Sequence, residues 1–173
     1  MTTAPPNTSS CISATVRETA RRSVLCWLAT VDAEGQPNVS PKEVWAIADD
    51  QHVVVANIAS PVSVSNIAQQ ALVCLSFVDV LVQKGFKLTG TARELLPADA
   101  GYAAWVAPLL AMTGDRIPVS SVLIIRVKCI HPIVAPSYWL YPETTTEASQ
   151  IQAAQHRYGM TLGTHSTPDQ TGS

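Results

Sequence analysis

The sequence predicts a mainly β domain, an antiparallel β-barrel with α-helices at its periphery. Six apolar segments of strand length follow one another along the chain, and turn residues separate them. The first three segments are joined by short links with no helical pattern between them. Because successive parallel strands need long crossover connections, these links favour antiparallel pairing over a doubly wound α/β sheet.

The predicted strands are rich in valine, leucine and isoleucine. They cover residues 23–32, 38–47, 52–57, 71–80, 84–95 and 121–134. Gly35 centres the turn of the first hairpin, and residues 48–51 form the next turn. On the last strand, strict alternation predicts one face made by Leu123, Ile125, Val127 and Cys129.

Four helices are predicted from a change of period and from capping residues. They cover a short segment from Ser13 and residues 60–70, 97–114 and 146–159. In the third, Pro108 would kink or interrupt the helix, because proline removes a backbone donor and crowds the preceding turn. Between Pro136 and the last helix we expect irregular chain.

Composition divides the chain into three parts. Residues 1–12 are small and polar, as in a mobile tail, and residues 13–140 form the barrel domain. Residues 141–173 make a C-terminal extension. We expect it to be partly helical and then disordered from about Gly163, where glycine, serine and threonine dominate.

The charge content excludes some classes of partner. Only 14% of the 173 residues are charged and 47% are hydrophobic, which predicts extensive buried surface, including the interface of a homo-oligomer. With a formal net charge of −2 and no dense basic run, we expect no nucleic-acid partner. The N-terminus lacks a leader pattern, and no apolar run approaches the roughly 20 residues of a membrane span. We therefore expect a cytoplasmic protein with no membrane partner.

The cysteines and histidines do not form metal-binding patterns. Cys11, Cys26, Cys74 and Cys129 include no C-x-x-C pair, which excludes a zinc knuckle or a thioredoxin-type motif. Three of them lie in apolar segments, as expected of small buried residues in a reducing compartment. The four histidines are not spaced as metal ligands either, and we expect no metal.

Residues 60–70 suggest a ligand, because serines, a proline and an asparagine follow directly on a buried strand. Ser60 is a good N-cap and Pro61 suits the first helical position, so the segment predicts a helix N-terminus. The first-turn N–H groups, with the hydroxyls of Ser60, Ser63 and Ser65, form a candidate phosphate site. The alternative is a well-capped helix that binds nothing. The chain has no glycine-rich phosphate motif, so a phosphate would be held in another way.

Three segments, taken in order, resemble the pyridoxamine 5′-phosphate oxidase-related flavoproteins, the FMN-binding split β-barrel family. They are LATVDAEGQPNVSPK (28–42), ASPVSVSNI (59–67) and VQKGFKLTGTA (82–92). The likeness runs from about Val24 to Leu96. It implies an antiparallel split β-barrel of the FMN-binding type and a homodimer, with FMN in a cleft between the subunits.

The resemblance also implies a set of cofactor-binding residues. They are Ser40, Pro41 and Lys42 beside the flavin, Ser60, Ser63, Ser65 and Asn66 at the 5′-phosphate, and Gln83, Lys84 and Gly85 near the ring system or the phosphate. A lysine supplies a cation to a group that carries a charge of about −1.5 to −2. Glutamine both donates and accepts at the polar edge of a flavin, and glycine lets backbone approach a flat ring.

The chain departs from the family pattern in two places. Ser65 stands where family members often carry arginine or lysine, which removes one charge-assisted contact of roughly 1.5–3 kcal/mol. After residue 130 the only arginine is Arg157, so the arginine-rich segment expected to grip pyridoxamine phosphate is missing. The predicted function is an FMN-dependent oxidoreductase for an unidentified small-molecule redox substrate, with no side chain assigned a catalytic role.

Other interpretations stay open at this point. A non-catalytic barrel that carries flavin or another planar cofactor fits Ser65 and the low density of basic residues, and a deazaflavin or haem would replace FMN in a third interpretation. Trp27, Trp45 and Trp105 lie in strand and helix patterns typical of core or dimer-interface packing. Trp139 lies beyond the last strand and is a candidate to close over a neighbouring subunit's flavin.

Overall fold

The computed structural model describes residues 11–113 and 116–161, and within these ranges seven strands form one sheet. The strands are β1 (Cys26–Val31), β2 (Pro37–Lys42), β3 (Trp45–Ile47), β4 (His52–Asn57), β5 (Leu72–Asp79), β6 (Lys84–Leu95) and β7 (Ser121–Val134). Most of the tail predicted over residues 1–12, and the segment from Gly163 predicted to be disordered, lie outside the described residues.

The helices lie around this sheet. They are α1 (Ala14–Arg21), α2 (Pro61–Gln69), α3 (Tyr102–Thr113), α4 (Ser137–Leu140) and α5 (Glu147–Tyr158). None of the helices in the described ranges is long and apolar enough to cross a membrane.

The two edges of the sheet are neighbours in the sequence. The strand order is β2-β1-β5-β6-β7-β4-β3, with antiparallel pairing throughout, and only Glu43 and Val44 separate β2 from β3. Because the three residue steps from Lys42 to Trp45 span at most roughly 11 Å, the sheet must curl until its edges approach each other. Ala56 N in β4 donates to Val44 O at 2.9 Å and ties this junction to the sheet. We call residues 42–45 the seam.

The predicted mainly β, antiparallel fold is confirmed, and the barrel is split because β2 and β3 end the strand order instead of pairing with each other. The prediction of one strand over 38–47 is wrong. Val44 and Trp45 are both buried, which breaks the alternation that a continuous strand requires. The chain bends there and gives two strands in place of one.

Alternate side chains of the strands fill the barrel interior. Leu75, Phe77, Leu88 and Ile125 have no exposed surface, and Trp45 packs on Phe77 with ring centroids 5.1 Å apart. A second apolar cluster lies between α3 and strands β4 and β7; its members include Val54, Ala56, Val106, Leu109, Val122 and Ile124. The two clusters use opposite faces of β4 and β7, which explains why both strands are apolar on both sides.

A β-bulge interrupts the pairing of β6 with β7. Thr89 pairs with Cys129 and Gly90 with Val127, so Lys128 is the extra residue. A Cβ on Gly90 would lie 2.0 Å from the carbonyl oxygen of Arg126, and only glycine fits there. The prediction that Cys129 shares the face of Val127 is wrong, because the bulge reverses the alternation and buries Ile130 instead.

The helix boundaries follow local capping. The hydroxyl of Ser13 accepts from Val16 N and starts α1, as predicted. Helix α3 begins later than the predicted residue 97, because Leu96 and Asp99 close a turn with a hydrogen bond of 2.8 Å from Leu96 N to Asp99 Oδ2. Pro108 lies inside α3 without ending it.

The C-terminal part is more regular than predicted. The expectation of irregular chain after Pro136 is wrong for residues 137–140, which form α4. A capping box between Thr146 and Ser149 starts α5, and Gly159 ends it in the left-handed conformation with φ of 62°.

Candidate functional site

The end of β2 meets the start of α2, and four predicted site residues gather there. Lys42 Nζ donates to Ser60 Oγ at 2.5 Å, and the hydroxyls of Ser40 and Ser63 lie 3.1 Å apart. Ser40 and Lys42 share one face of β2, since they are two residues apart on a strand. Ser60 and Ser63 both lie at the N-terminal end of α2. We call these four residues the Lys42 group.

The ammonium of Lys42 is buried without a carboxylate partner. Lys42 is only 4% exposed. None of the ion pairs formed by residues 11–113 and 116–161 includes Lys42. Burial lowers the pKa of Lys42, against an opposing effect of Cys26, its partner on β1. A buried cation that donates to a neutral hydroxyl and has no carboxylate partner is unfavourable, and an anion would relieve that cost.

The first turn of α2 has no side-chain cap. Ser60 occupies the predicted N-cap position, but its side chain makes no capping hydrogen bond to the helix and accepts from Lys42 instead. Pro61 follows at the first helical position, where its missing N–H has no effect. The N–H groups of the first turn and the ammonium of Lys42 are therefore donors at one place, which is the chemistry that a phosphate needs.

The other predicted residues of these two segments face elsewhere. Ser65 is exposed, and its hydroxyl accepts from Gln69 Nε2 at 3.2 Å on the same helix. Asn66 is buried and donates to Thr30 Oγ1 at 3.0 Å, which fastens α2 to β1. Pro41 is exposed beside Trp27 on the outer side of the sheet.

The remaining predicted residues lie at the β5–β6 turn. Gln83 has a positive φ of 55°, and its backbone is held by bonds from Gln83 N to Asp79 O at 2.8 Å and from Ala135 N to Gln83 O at 3.1 Å. A Cβ on Gly85 would lie 2.1 Å from the carbonyl oxygen of Phe77. The close approach of β5 therefore already requires this glycine, whether or not a ring approaches it.

The C-terminal helices dock on this turn. Lys84 Nζ donates to Glu147 Oε1 at 2.8 Å and lies 4.4 Å from the ring centre of Tyr138. Gln83 Nε2 donates to Gln150 Oε1 at 2.8 Å, and Gln150 Nε2 donates to Ser137 Oγ at the same distance. The hydrogen bond and charge of Lys84 lower the pKa of the Glu147 carboxyl.

The two lysines are in different electrostatic situations. Lys42 pairs across the sheet with Cys26, then Phe77, then Phe86, so three strand spacings, roughly 14 Å along the sheet, separate it from β6. Lys84 lies two residues before Phe86 on β6, and Glu147 neutralises its charge. Only Lys42 combines burial with the lack of an ion pair among the described residues.

Sequence reasoning missed the residues that support the Lys42 group. Asn57, the last residue of β4, accepts from Ser60 N through Oδ1 at 3.2 Å and donates to Ser121 Oγ at 2.8 Å. Asparagine three residues before a helix start is a recognisable turn signal. Its second partner lies 64 residues away, and that contact has no local signal.

A comparison with protein families agrees with the three sequence segments. The family model described as pyridoxamine 5′-phosphate oxidase matches residues 12–131, more than half of the chain. The chain belongs to this family. The resemblance drawn from the sequence is confirmed, and the matched range covers both the Lys42 group and the β5–β6 turn.

Solved structures share the fold of this family member. HupZ from group A Streptococcus is 28% identical, with a TM-score of 0.60 over 69% of this chain and 91% of its own. A candidate pyridoxamine 5′-phosphate oxidase from Lactobacillus delbrueckii is 21% identical, with a TM-score of 0.61 over 72% and 97%. An FMN-binding protein from Syntrophomonas wolfei is 16% identical, with a TM-score of 0.57 over 69% and 84%. No curated protein matches the sequence.

Replacing Gln150 by leucine should release α5 from the β5–β6 turn. The change removes two hydrogen bonds and leaves Gln83 and Ser137 without a partner, a loss of roughly 1–3 kcal/mol. Backbone hydrogen exchange in residues 147–158 should accelerate by about tenfold or more.

Glu147→Gln should have a smaller effect, since an exposed ion pair contributes about 0–1 kcal/mol. Gln152→Leu, an exposed position on the same helix, is the control, and equal exchange in the Gln150 and Gln152 variants would contradict the docking role.

Proposed function

We propose that this family member binds FMN and acts as an oxidoreductase on a small-molecule substrate. The observation that carries the proposal is the buried Lys42 beside the uncapped start of α2. A phosphate monoester of charge about −1.5 to −2 supplies the anion that this group lacks. Family membership and the FMN-binding protein among the structures of the same fold support FMN as the phosphate-bearing ligand.

The residues present fit this cofactor in spite of Ser65. The cation that family members often place near Asn66 is absent, but Lys42 brings a cation to the same helix start from β2. Ser40, Ser60 and Ser63 add hydroxyl donors. We assign the phosphate to the Lys42 group and the polar edge of the flavin to Gln83, whose backbone is already fixed.

The chemistry of the reaction would come from the cofactor. Bound FMN supplies hydride exchange with a substrate at its ring, and the side chains of this chain bind it, orient it and exclude water. The only arginine after residue 130 is Arg157, so we propose a substrate other than pyridoxamine phosphate.

We also propose a cytoplasmic location, which the buried thiol of Cys26 supports.

We propose a homodimer formed through the outer face of β1, β2 and β5. Apolar side chains gather there although they face solvent in the single chain: Trp27 is 45% exposed, Val39 59% and Leu72 55%. Trp27 pairs with Pro41, and Ala29 with Val39, so the patch is continuous across the two strands. Contiguous apolar surface of this kind is typical of protein interfaces. Pro41 connects this patch to Lys42, which supports a cofactor site next to the interface.

FMN titration followed by tryptophan fluorescence tests the cofactor. We expect micromolar binding, and Lys42→Met should weaken it by roughly 10- to 100-fold while leaving riboflavin binding unchanged, because one charge-assisted contact is lost. Lys87→Met, an exposed lysine on β6, is the control. A colourless protein that does not respond to FMN, or equal weakening of FMN and riboflavin, would overturn the phosphate assignment.

Lys42→Met should also stabilise the protein without ligand. Removing a buried, uncompensated charge should raise the free energy of unfolding by on the order of 1 kcal/mol. The gain should be complete below the lowered pKa of Lys42 and should vanish as the pH rises to its ordinary value of 10.5, where the unfolded chain also loses the proton. Thermal unfolding over a pH series measures both effects.

Steady-state oxidation of a reduced nicotinamide separates an enzyme from a flavin carrier. The FMN-loaded protein should turn over faster than an equal concentration of free FMN, because the site positions the ring and excludes water. Turnover no faster than that of free FMN would reject this activity and favour the non-catalytic alternative, which Ser65 and the low density of basic residues support.

Trp27→Arg should weaken the dimer. An aromatic residue at the centre of an interface contributes about 2 kcal/mol or more, so the dissociation constant should rise by about 30-fold or more in sedimentation equilibrium. Leu110→Arg, at a residue 44% exposed on α3, is the matched control and should leave the dimer intact. A monomeric native chain, or equal effects of the two variants, would reject this face.

A further inference from the structure

A chain of hydrogen bonds leads from the Lys42 group to a carboxylate on β6. Lys42 donates to Ser60 Oγ, and Ser60 N donates to Asn57 Oδ1 at 3.2 Å. Asn57 Nδ2 donates to Ser121 Oγ at 2.8 Å, and Ser121 Oγ donates to Glu94 Oε1. Every bond is donated in the direction of Glu94, which is the final acceptor.

The members of this chain are fixed by the sheet. Asn57 is the last residue of β4 and pairs with Ser121, the first residue of β7. Ser121 is 1% exposed, and Glu94 lies on β6, whose partner there is Leu123 of β7. The three side chains therefore meet where β4, β7 and β6 lie side by side, just before the chain enters α2.

The carboxylate determines which way the amide of Asn57 faces. An ionised carboxylate only accepts hydrogen bonds, so the NH₂ of Asn57 turns towards Glu94 and Ser121, with Nδ2 also 3.5 Å from Glu94 Oε1. The carbonyl oxygen of Asn57 then faces Ser60 N. With the amide reversed, its NH₂ would oppose the N–H of Ser60, and the start of α2 would have to move.

We propose that Glu94 is a positioning residue that sets the Lys42 group for phosphate. The inference rests on the proposed binding of FMN at that group. Glu94 touches no residue of the group directly and acts through Asn57, which places Ser60. None of the ion pairs formed by the described residues includes Glu94. Its carboxylate accepts hydrogen bonds from Ser121 and Asn57 instead.

The sign of the effect separates this role from two others. If Glu94 acted only through its negative charge, removing it would tighten the binding of an anionic ligand. If it only held the sheet together, its loss would lower stability and weaken FMN and riboflavin alike. Positioning of the phosphate end predicts weaker FMN binding with riboflavin unchanged, because riboflavin lacks the phosphate.

The test compares Glu94→Met, Glu94→Gln and Glu43→Met in the full chain by titration with FMN and with riboflavin. Glu43 is an exposed carboxylate next to Lys42 and is the matched control for charge. Glu94→Met should weaken FMN by about tenfold, with riboflavin within about twofold of the native value. Glu94→Gln, which keeps an acceptor oxygen, should lie between Glu94→Met and the native chain. Glu43→Met should not weaken FMN.

An unchanged or larger ratio of the riboflavin to the FMN dissociation constant in both Glu94 variants would overturn the proposal, and so would an equal loss of FMN affinity in Glu43→Met. If Glu94→Met does not fold, Glu94→Gln decides alone. Failure of the proposed function itself gives a different result, since a native chain that binds FMN and riboflavin equally has no phosphate site to be positioned.

Discussion

The short link between β2 and β3 is the constraint on which the rest of the structure depends. These strands are the two edges of the sheet, and Glu43 and Val44 alone connect them, so the sheet curls into a split barrel. The curl brings the end of β2 against the start of α2, which follows β4. Lys42 lies at this seam and turns inward. The candidate site therefore results from how the sheet closes and is not an addition to a finished fold.

Closure at the seam also explains why the charge of Lys42 lowers the stability of the protein without ligand. Three neighbouring residues, Lys42, Val44 and Trp45, are buried together, and the first of them carries an ammonium. Its hydrogen-bond partner is the hydroxyl of Ser60, which does not neutralise it. Sites that bind a ligand commonly keep such an unfavourable group, because the ligand removes the penalty when it binds. Lys84, by contrast, has a carboxylate partner in Glu147.

Local patterns predicted much of the fold. Strands β4, β6 and β7 begin and end where residue alternation and β-branched side chains place them, and Ser60 marks the start of α2. Two of the wrong predictions are consequences of long-range packing, whereas the later start of α3 follows from a local turn at Leu96 and Asp99. The break at Val44 follows from closing the sheet, and the face of Cys129 follows from a bulge set by the contact of Gly90 with Arg126. The ion pair of Lys84 also depends on a helix 63 residues later. None of these long-range contacts leaves a pattern within a short window of sequence.

The buried position of Lys42 supports the proposed phosphate site in spite of Ser65. A cation on the exposed side of α2 would reach a ligand only from the solvent side, where its charge is screened. Lys42 approaches the helix start from the buried side, where a charge acts more strongly over the same distance. A cation on the neighbouring strand therefore provides an attraction for the proposed phosphate without a basic residue on the helix, and this attraction depends on the seam. The position of one lysine on β2 thus links the closure of the barrel to the proposed binding of a phosphate.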